Sequence, residues 1–230
     1  MGPMLGVSIP LFDEEAVAEA FVRSVHNALT QASIPHKLVL VNNGSTDGTP
    51  ALVNRLSVDI SACEAVHLSQ NAGYGGGILV GMRTLNTPIV GWMWGDGQVN
   101  AETLVACYQK LVSEELDLCK AHRVQRNDGL QRRVVSSGYN RLVQWMGSGV
   151  CDANGCPKLM KQEVFQSLDL SSYDWFLDAE AVLKASEKGL KWGSVETIMH
   201  ARAGGFSKVH RDTILEFAGN LWLWKKGWRP

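Results

Sequence analysis

The chain has 230 residues, 45% of them hydrophobic and 20% charged, which is the composition of a soluble globular protein long enough to bury a substantial core. Its 22 Lys and Arg are matched by 23 Asp and Glu, so no net field draws nucleic acid and none is expected as a partner. No apolar run approaches the ~18 residues of a membrane span. The N-terminus lacks the basic and apolar regions of a secretion signal. The 5 cysteines lack CxxC spacing, so reduced thiols in a cytoplasmic protein are expected.

Strand and helix signals alternate through the first half. "MLGVSI" reads as a strand ended by Pro10. "DEEAVAEAFVRSVHNAL" carries acids in its first turn and apolar residues at helical spacing (Val17, Phe21, Val25, Ala28, Leu29). "HKLVLV" is a second strand, "NNGSTDGTP" a turn cluster and "ALVNRLS" a short helix. "EAVHLS" is a third strand, followed by the glycine loop "NAGYGGG" and the helix "ILVGMRTL". "PIVGWMW" is a fourth strand, and "NAETLVACYQKLVSE" a helix with Asn100 at its N-cap. "LDLCKAHRV" is a fifth strand. Such alternation predicts a mostly parallel central sheet covered by helices on both faces. In that architecture ligands sit beyond the carboxyl ends of the strands, so "NNGSTDG", "NAGYGGG" and "GDGQ" are expected to line one crevice.

The second half is less regular. "RRVVSSGYNRLVQWMGSG" reads as a helix and "DANGCPKLMK" as a loop or short strand. "YDWFLDAEAVLKASEKG" is a helix ending at Gly189, "KWGSVETIMHA" a strand, "RAGGFSK" a loop and "HRDTILEFAGNLWLWKKGW" a last helix. Without a repeat, low-complexity tract or linker, residues 1–230 are expected to form one domain with two functional halves, about 1–100 and about 101–230.

Within this frame "WMWGDGQVNAET" ends a buried strand in a single acid, Asp96. Asp96 either makes a turn with Gly95 and Gly97 or supplies oxygen to a hard cation. In the second case Gln98, two residues on in an extended segment, faces the same side. "NAGYGGGILVG" is not a dinucleotide fingerprint, because Ile78 stands where the third glycine belongs.

"VSIPLFDEE", "VNNGSTDGT", "NAGYGGGILVGM" and "GDGQ" resemble the motifs of family 2 glycosyltransferases with the GT-A fold. "DANGCPKLM", "WFLDAEAVLKASEKG" and "RAGGFSK" resemble later segments of its dolichyl- and polyprenyl-phosphate sugar synthase branch. The resemblance implies an α/β GT-A fold with a Rossmann-like donor half, an acceptor half, and inverting transfer from a GDP- or UDP-linked sugar. It also implies Mg²⁺ or Mn²⁺ held by Asp96 with Gln98. On the same basis Pro10, Glu14, Asn42, Asn43, Ser45, Asn71 and Gly73 surround the nucleotide. Two departures stand out: Trp94 occupies the first acid of the usual D-x-D, and Asn42 and Asn43 replace acids. A donor-binding relative without turnover is therefore an alternative.

On the acceptor side the cations Arg123, Arg126, Arg133, Lys158, Arg202 and Lys208, with Ser207, suit a phosphate. Arg202 is also expected to act in catalysis. Asp178 either serves as a general base or pairs with an arginine. A polyprenyl phosphate is the expected acceptor, because it is already ionised and needs cations more than a base. A glycan or soluble hydroxyl acceptor is the alternative. Trp222, Trp224 and Trp228 beside Lys225, Lys226 and Arg229 give the last helix the composition of an interfacial segment, or of a core-packing helix. A cytoplasmic location, peripheral at the inner face of a membrane, would follow from the first.

Overall fold

The computed structural model describes residues 2–126, 143, 149, 151–201, 219–220 and 222–227. The helix expected over 132–149, the loop 202–208 and most of the last helix lie outside these residues. So do Arg133, Arg202, Ser207, Lys208 and the side chain of Arg126.

Seven strands form one sheet in the order β3-β2-β1-β4-β6-β5-β7. They are β1 (Leu5–Leu11), β2 (His36–Asn43), β3 (Cys63–Leu68), β4 (Ile89–Trp92), β5 (Leu118–Arg126), β6 (Lys158–Lys161) and β7 (Trp192–Met199). β1 pairs in parallel with β2 and β4, β2 with β3, and β5 with β7. β6 alone runs antiparallel, between β4 and β5, so "DANGCPKLMK" contains a strand. This is the α/β GT-A architecture expected. The chain steps outward from β1 to β2 and β3, then returns to β4 on β1's other side. That reversal opens a crevice at the carboxyl ends of β1 and β4.

The helices are α1 (Glu15–Gln31), α2 (Thr49–Asp59), α3 (Gly73–Thr84), α4 (Ala101–Ser113), α5 (Gln162–Leu168) and α6 (Leu177–Glu187). Strand alternation sorts the core into two layers. Leu38 and Leu40 of β2 join Phe21, Val25, Leu29, Leu56 and Leu104 on one face. Val39 and Val41 join Ile78, Met82, Phe165 and Leu177 on the other. Helix α5 has no counterpart in the sequence reading, because 7 residues are too few turns to show a period.

The glycine run also differs from expectation. It is not a loop before α3 but the helix's first turns, which begin at Gly73. Helix α3 can start there because the backbone of residues 172–174 lies directly on it: Gly76 N–H donates to the Tyr173 carbonyl at 3.1 Å, and a Cβ on Gly75 would sit 2.1 Å from the Ser172 oxygen. Asn100 does stand at the N-cap of α4, but its side chain makes no capping bond; its carbonyl accepts from Thr103 N–H.

Gly75→Ala forces backbone against backbone at this contact. The variant is expected to lose about 1–3 kcal/mol in urea unfolding, despite alanine's better helix propensity. Unchanged stability would show that the 172–174 segment yields freely.

Candidate active site

The loops after β1 and β2 are laced together by backbone donors and side-chain acceptors. Asp13 N–H donates to Ser45 Oγ at 3.0 Å, Glu14 N–H to Thr49 Oγ1 at 3.0 Å, and Glu15 N–H to Asp47 Oδ2 at 3.1 Å. In return Thr46 N–H donates to Asp13 Oδ1 at 2.7 Å and Gly48 N–H to Glu15 Oε2 at 2.9 Å. Asp47 also accepts from Thr49 N–H at 2.9 Å, so one carboxylate serves the first turns of α1 and α2. Burial acts to raise its pKa, but the hydrogen bonds from Thr49 and Glu15 outweigh it and hold the carboxyl below the usual range. Asp13 is thus a clasp between loops, while Glu14, which is buried, takes the N-cap position of α1.

The two asparagines at the end of β2 differ in role. Asn43 Nδ2 donates to Asn71 Oδ1 at 3.2 Å and to the Gly73 carbonyl at 3.0 Å, and its Oδ1 accepts from Ala72 N–H at 3.0 Å. It holds the start of α3 against β2. Asn42 Oδ1 accepts from Ser45 N–H at 3.0 Å, and its Nδ2 lies 3.2 Å from His67 Nδ1. Pro10 lies beside them, 3.3 Å from where a Cβ on Gly77 would stand. The structure therefore brings Pro10, Glu14, Asn42, Asn43, Ser45, Asn71 and Gly73 to adjoining strand ends.

Asp96 follows β4 on the neighbouring strand end and is buried. The segment is not extended as the sequence reading supposed. Gly97 has φ +68° and Asp96 Oδ1 accepts from Gln98 N–H at 3.1 Å, a side-chain-closed turn. Strand alternation therefore does not set where the two side chains point. Gln98 Nε2 donates to the His200 carbonyl at 3.0 Å, and His200 N–H donates to the Gln98 carbonyl at 2.8 Å. Gln98 thus ties the exit of β7 to the Asp96 turn.

Trp94 leads into a buried polar chain. Its Nε1–H donates to Tyr74 Oη at 2.7 Å, Tyr74 donates to Asp178 Oδ2 at 2.7 Å, and Asp178 Oδ1 takes a very short bond from the Lys158 ammonium. Lys158 also donates to the Gly155 carbonyl at 2.8 Å. Burial pushes the Tyr74 phenol well above its ordinary range, so it stays protonated and can donate. Lys158 and Asp178 are 0% and 1% exposed. This corrects two expectations. Lys158 is no surface contact for a phosphate, and Asp178 pairs with that lysine rather than with an arginine.

Arg123 likewise stands apart from a surface cluster. Its guanidinium grips Asp152 through Nε at 2.9 Å and Nη2 at 2.6 Å, and its own N–H donates to Asp152 Oδ2 at 2.8 Å. It also lies 5.4 Å over the Trp94 ring. Burial opposes ionisation of Asp152, but Arg123 holds that carboxyl well below its usual range. Lys120, buried beside the pair, donates to the Asp152 carbonyl at 2.8 Å, and burial pushes its ammonium down to about 8. Sequence reasoning missed Tyr74, Lys120, Asp152 and His67. Tyr74 was signalled only by being the one large residue in a glycine run, and Asp152 only by its place in "DANG". Beyond Gln98 a cleft of about 450 Å³ is lined by Asn100, Val124, Glu196, Thr197, Ile198 and His200.

Among the described residues no three His, Cys, Asp or Glu side chains converge. Asp96 offers one carboxylate, and an indole stands where another acid would. Such a set fits a hard cation that takes its remaining oxygens from a diphosphate and water; it does not fit an all-protein cage.

The family model for glycosyl transferase family 2 matches residues 7–169. The chain belongs to that family. It is 29% identical over 214 residues to the dodecaprenyl-phosphate galacturonate synthase of Rhizobium johnstonii, covering 89% of this chain and 61% of that protein. It is 27% identical over 224 residues to the polyprenol monophosphomannose synthase of Mycolicibacterium smegmatis, covering 91% and 82%. The chain thus spans less than two thirds of the first of these relatives. Among solved structures, glucosyl-3-phosphoglycerate synthase from Mycobacterium tuberculosis with phosphoglyceric acid superposes with a TM-score of 0.76 at 18% identity, over 100% of this chain and 82% of that one. A mannosyltransferase from Pyrobaculum calidifontis, in complex with GDP-Man and Mn²⁺, gives 0.65 at 17% identity, over 89% and 59%. These likenesses fix the fold.

Lys158→Met strands the Asp178 carboxylate in the core and is expected to cost about 3–5 kcal/mol in urea unfolding. Lys158→Met with Asp178→Leu should recover most of that loss. Equal losses in the single and double variants would show that the two charges are not coupled.

Proposed function

We propose that this chain transfers a sugar, with inversion, from a GDP- or UDP-linked donor to a polyprenyl phosphate. The observation that carries the reading is Asp96, a lone acid buried in the turn after β4, beside the loops that follow β1 and β2. Residues of about 1–100 form the donor half and the remainder the acceptor half of one unit. Pro10, Glu14, Asn42, Asn43, Ser45, Asn71 and Gly73 surround the nucleotide. Asp96, with Gln98 assisting, would hold Mg²⁺ or Mn²⁺ against the diphosphate. The bound ion would offset the charge that develops on the leaving diphosphate.

An oxygen of the acceptor phosphate attacks the anomeric carbon as its bond to the diphosphate breaks. That oxygen is already ionised near neutral pH, so no proton has to be removed. Asp178 supports this choice. Its carboxylate oxygens are engaged by Lys158 and Tyr74, which suits a structural anion better than a base. Arg126, Arg133, Arg202, Ser207 and Lys208 are proposed to meet the acceptor phosphate, with Arg202 also acting in catalysis. The cleft beyond Gln98 carries exposed Val124 and Ile198, an apolar wall suited to an isoprenoid. The relatives named above as dodecaprenyl-phosphate and polyprenol synthases support the same acceptor class.

The C-terminal segment supports a peripheral contact with a membrane surface. Trp224 is buried against Phe176, with ring centroids 5.7 Å apart. Trp222 and Leu223 face outward, and the Lys226 ammonium lies 3.7 Å over the Trp222 ring. Exposed indole beside lysine suits an anionic lipid surface. No helix among the described residues is long and apolar enough to cross a membrane.

Trp94, in place of a metal-binding acid, is the observation favouring the second reading, a donor-binding relative without turnover. Radiolabelled transfer from a donor panel to a short-chain polyprenyl phosphate separates the two. Transfer is expected with one donor, with a loss of about 10²-fold in Asp96→Ala and retention in Asp178→Asn. Nucleotide binding without transfer would support the second reading. Transfer only to hydroxyl acceptors, abolished by Asp178→Asn, would contradict the first.

In flotation with phosphatidylserine vesicles, Trp222→Ala with Lys226→Ala should lower the bound fraction about 5-fold or more. Equal binding by wild type and variant would contradict the surface contact.

A further inference from the structure

We infer that His67 is a positioning residue of the nucleotide site, and that its neutral form, with the proton on Nε2, sets the orientation of Asn42. This rests on the proposed nucleotide site. His67 lies on β3 directly across from Asn42 in the parallel register. The hydrogen bonds around the pair have only one consistent direction. A backbone N–H can only donate, so the Asn42 atom 3.0 Å from Ser45 N is the carbonyl Oδ1. The other end of the amide, Nδ2, then faces His67 Nδ1 at 3.2 Å. An NH₂ has only hydrogens to offer, so Nδ1 must present its lone pair. The ring proton sits on Nε2, which faces Asn54 Oδ1 at 2.9 Å. The chain reads Ser45 N–H to Asn42, Asn42 to His67, His67 to Asn54. Ser45 Oγ meanwhile accepts from Asp13 N–H at 3.0 Å, which carries the order into the loop after β1.

A proton on Nδ1 breaks this chain. Its N–H would point at the Asn42 NH₂, donor against donor. Turning the amide over to satisfy the ring would aim NH₂ at Ser45 N–H, the same conflict moved by one residue. Either way Asn42, which is buried, loses its fixed presentation to the base. Charged groups on the elements packed around His67 are turned elsewhere. Arg55 and Asp59 of α2 pair with Glu19 and Arg23. Lys37 of β2 pairs with Glu64 of β3, and His36 bonds His26. β3 is the outer strand of the sheet, so among the described residues no further strand brings a charge. His67 is solvent-exposed.

Two measurements on the full chain test this. In the first, GDP and UDP affinities are measured by calorimetry at about pH 8 and about pH 5.5, the range in which imidazoles change charge, for wild type, His67→Gln and His67→Ala. The nucleotide's own protonation is common to all three. Wild type should lose about 5-fold more affinity on acidification than His67→Gln, whose amide can accept without titrating. His67→Ala should bind more weakly than wild type at pH 8. In the second, imidazole ¹⁵N spectra should show the Nε2–H tautomer at pH 8 without any nucleotide. Parallel pH profiles in wild type and His67→Gln, or an Nδ1–H tautomer, would overturn the inference. Absence of nucleoside diphosphate binding by wild type would overturn the proposed site, and with it this inference, whatever the tautomer.

Discussion

A lysine ammonium and an aspartate carboxylate, both shut away from water, tie the antiparallel strand β6 to helix α6. Lys158 comes from the antiparallel strand β6 and Asp178 from the first turn of α6. Through Tyr74 and Trp94 the same carboxylate reaches α3 and the turn after β4. Charges buried this deeply are tolerable only when every polar neighbour is satisfied. The network therefore fixes several elements at once rather than adding a surface contact. Its neighbour, Arg123 with Asp152, repeats the arrangement on β5 and has its guanidinium over the Trp94 ring. Trp94 is thus the meeting point of two buried ion pairs. An acid there would add a third carboxylate to a region that already holds Asp152 and Asp178.

The loops after β1 and β2 are built on a different principle. There the backbone supplies donors and short side chains supply acceptors, across loops that are far apart in sequence. Asp47 serves two helix starts, Asp13 donates to Ser45 and accepts from Thr46 between loops, and Asn43 fastens the head of α3. Such loops are ordered before any ligand arrives, which lowers the entropic cost of binding. Asp96 then occupies the end of the adjoining strand.

Much of the architecture was legible because strand and helix periods differ. Continuous apolar runs such as "HKLVLV", typical of strands buried on both faces, and the 3.6-residue spacing of α1 announce themselves locally. The motif order placed Asp96, Asn42 and Asn43 at strand ends, where they lie. What could not be read depends on partners distant in the chain. "NAGYGGG" reads as a loop unless the backbone of residues 172–174, which requires small residues in α3, is already in view. Lys158 and Arg123 read as solvated cations because Asp178 and Asp152 lie 20 and 29 positions away. Nothing local reveals the bond from Gln98 Nε2 to the His200 backbone.

Hydrogen exchange with and without GDP or UDP and Mn²⁺ tests the placement of the donor most directly. The account predicts slowed exchange at residues 11–15, 42–48, 71–75 and 94–98, the strand-end loops around Asp96. Protection confined to residues 118–126 and 192–200, with those loops unchanged, would contradict it.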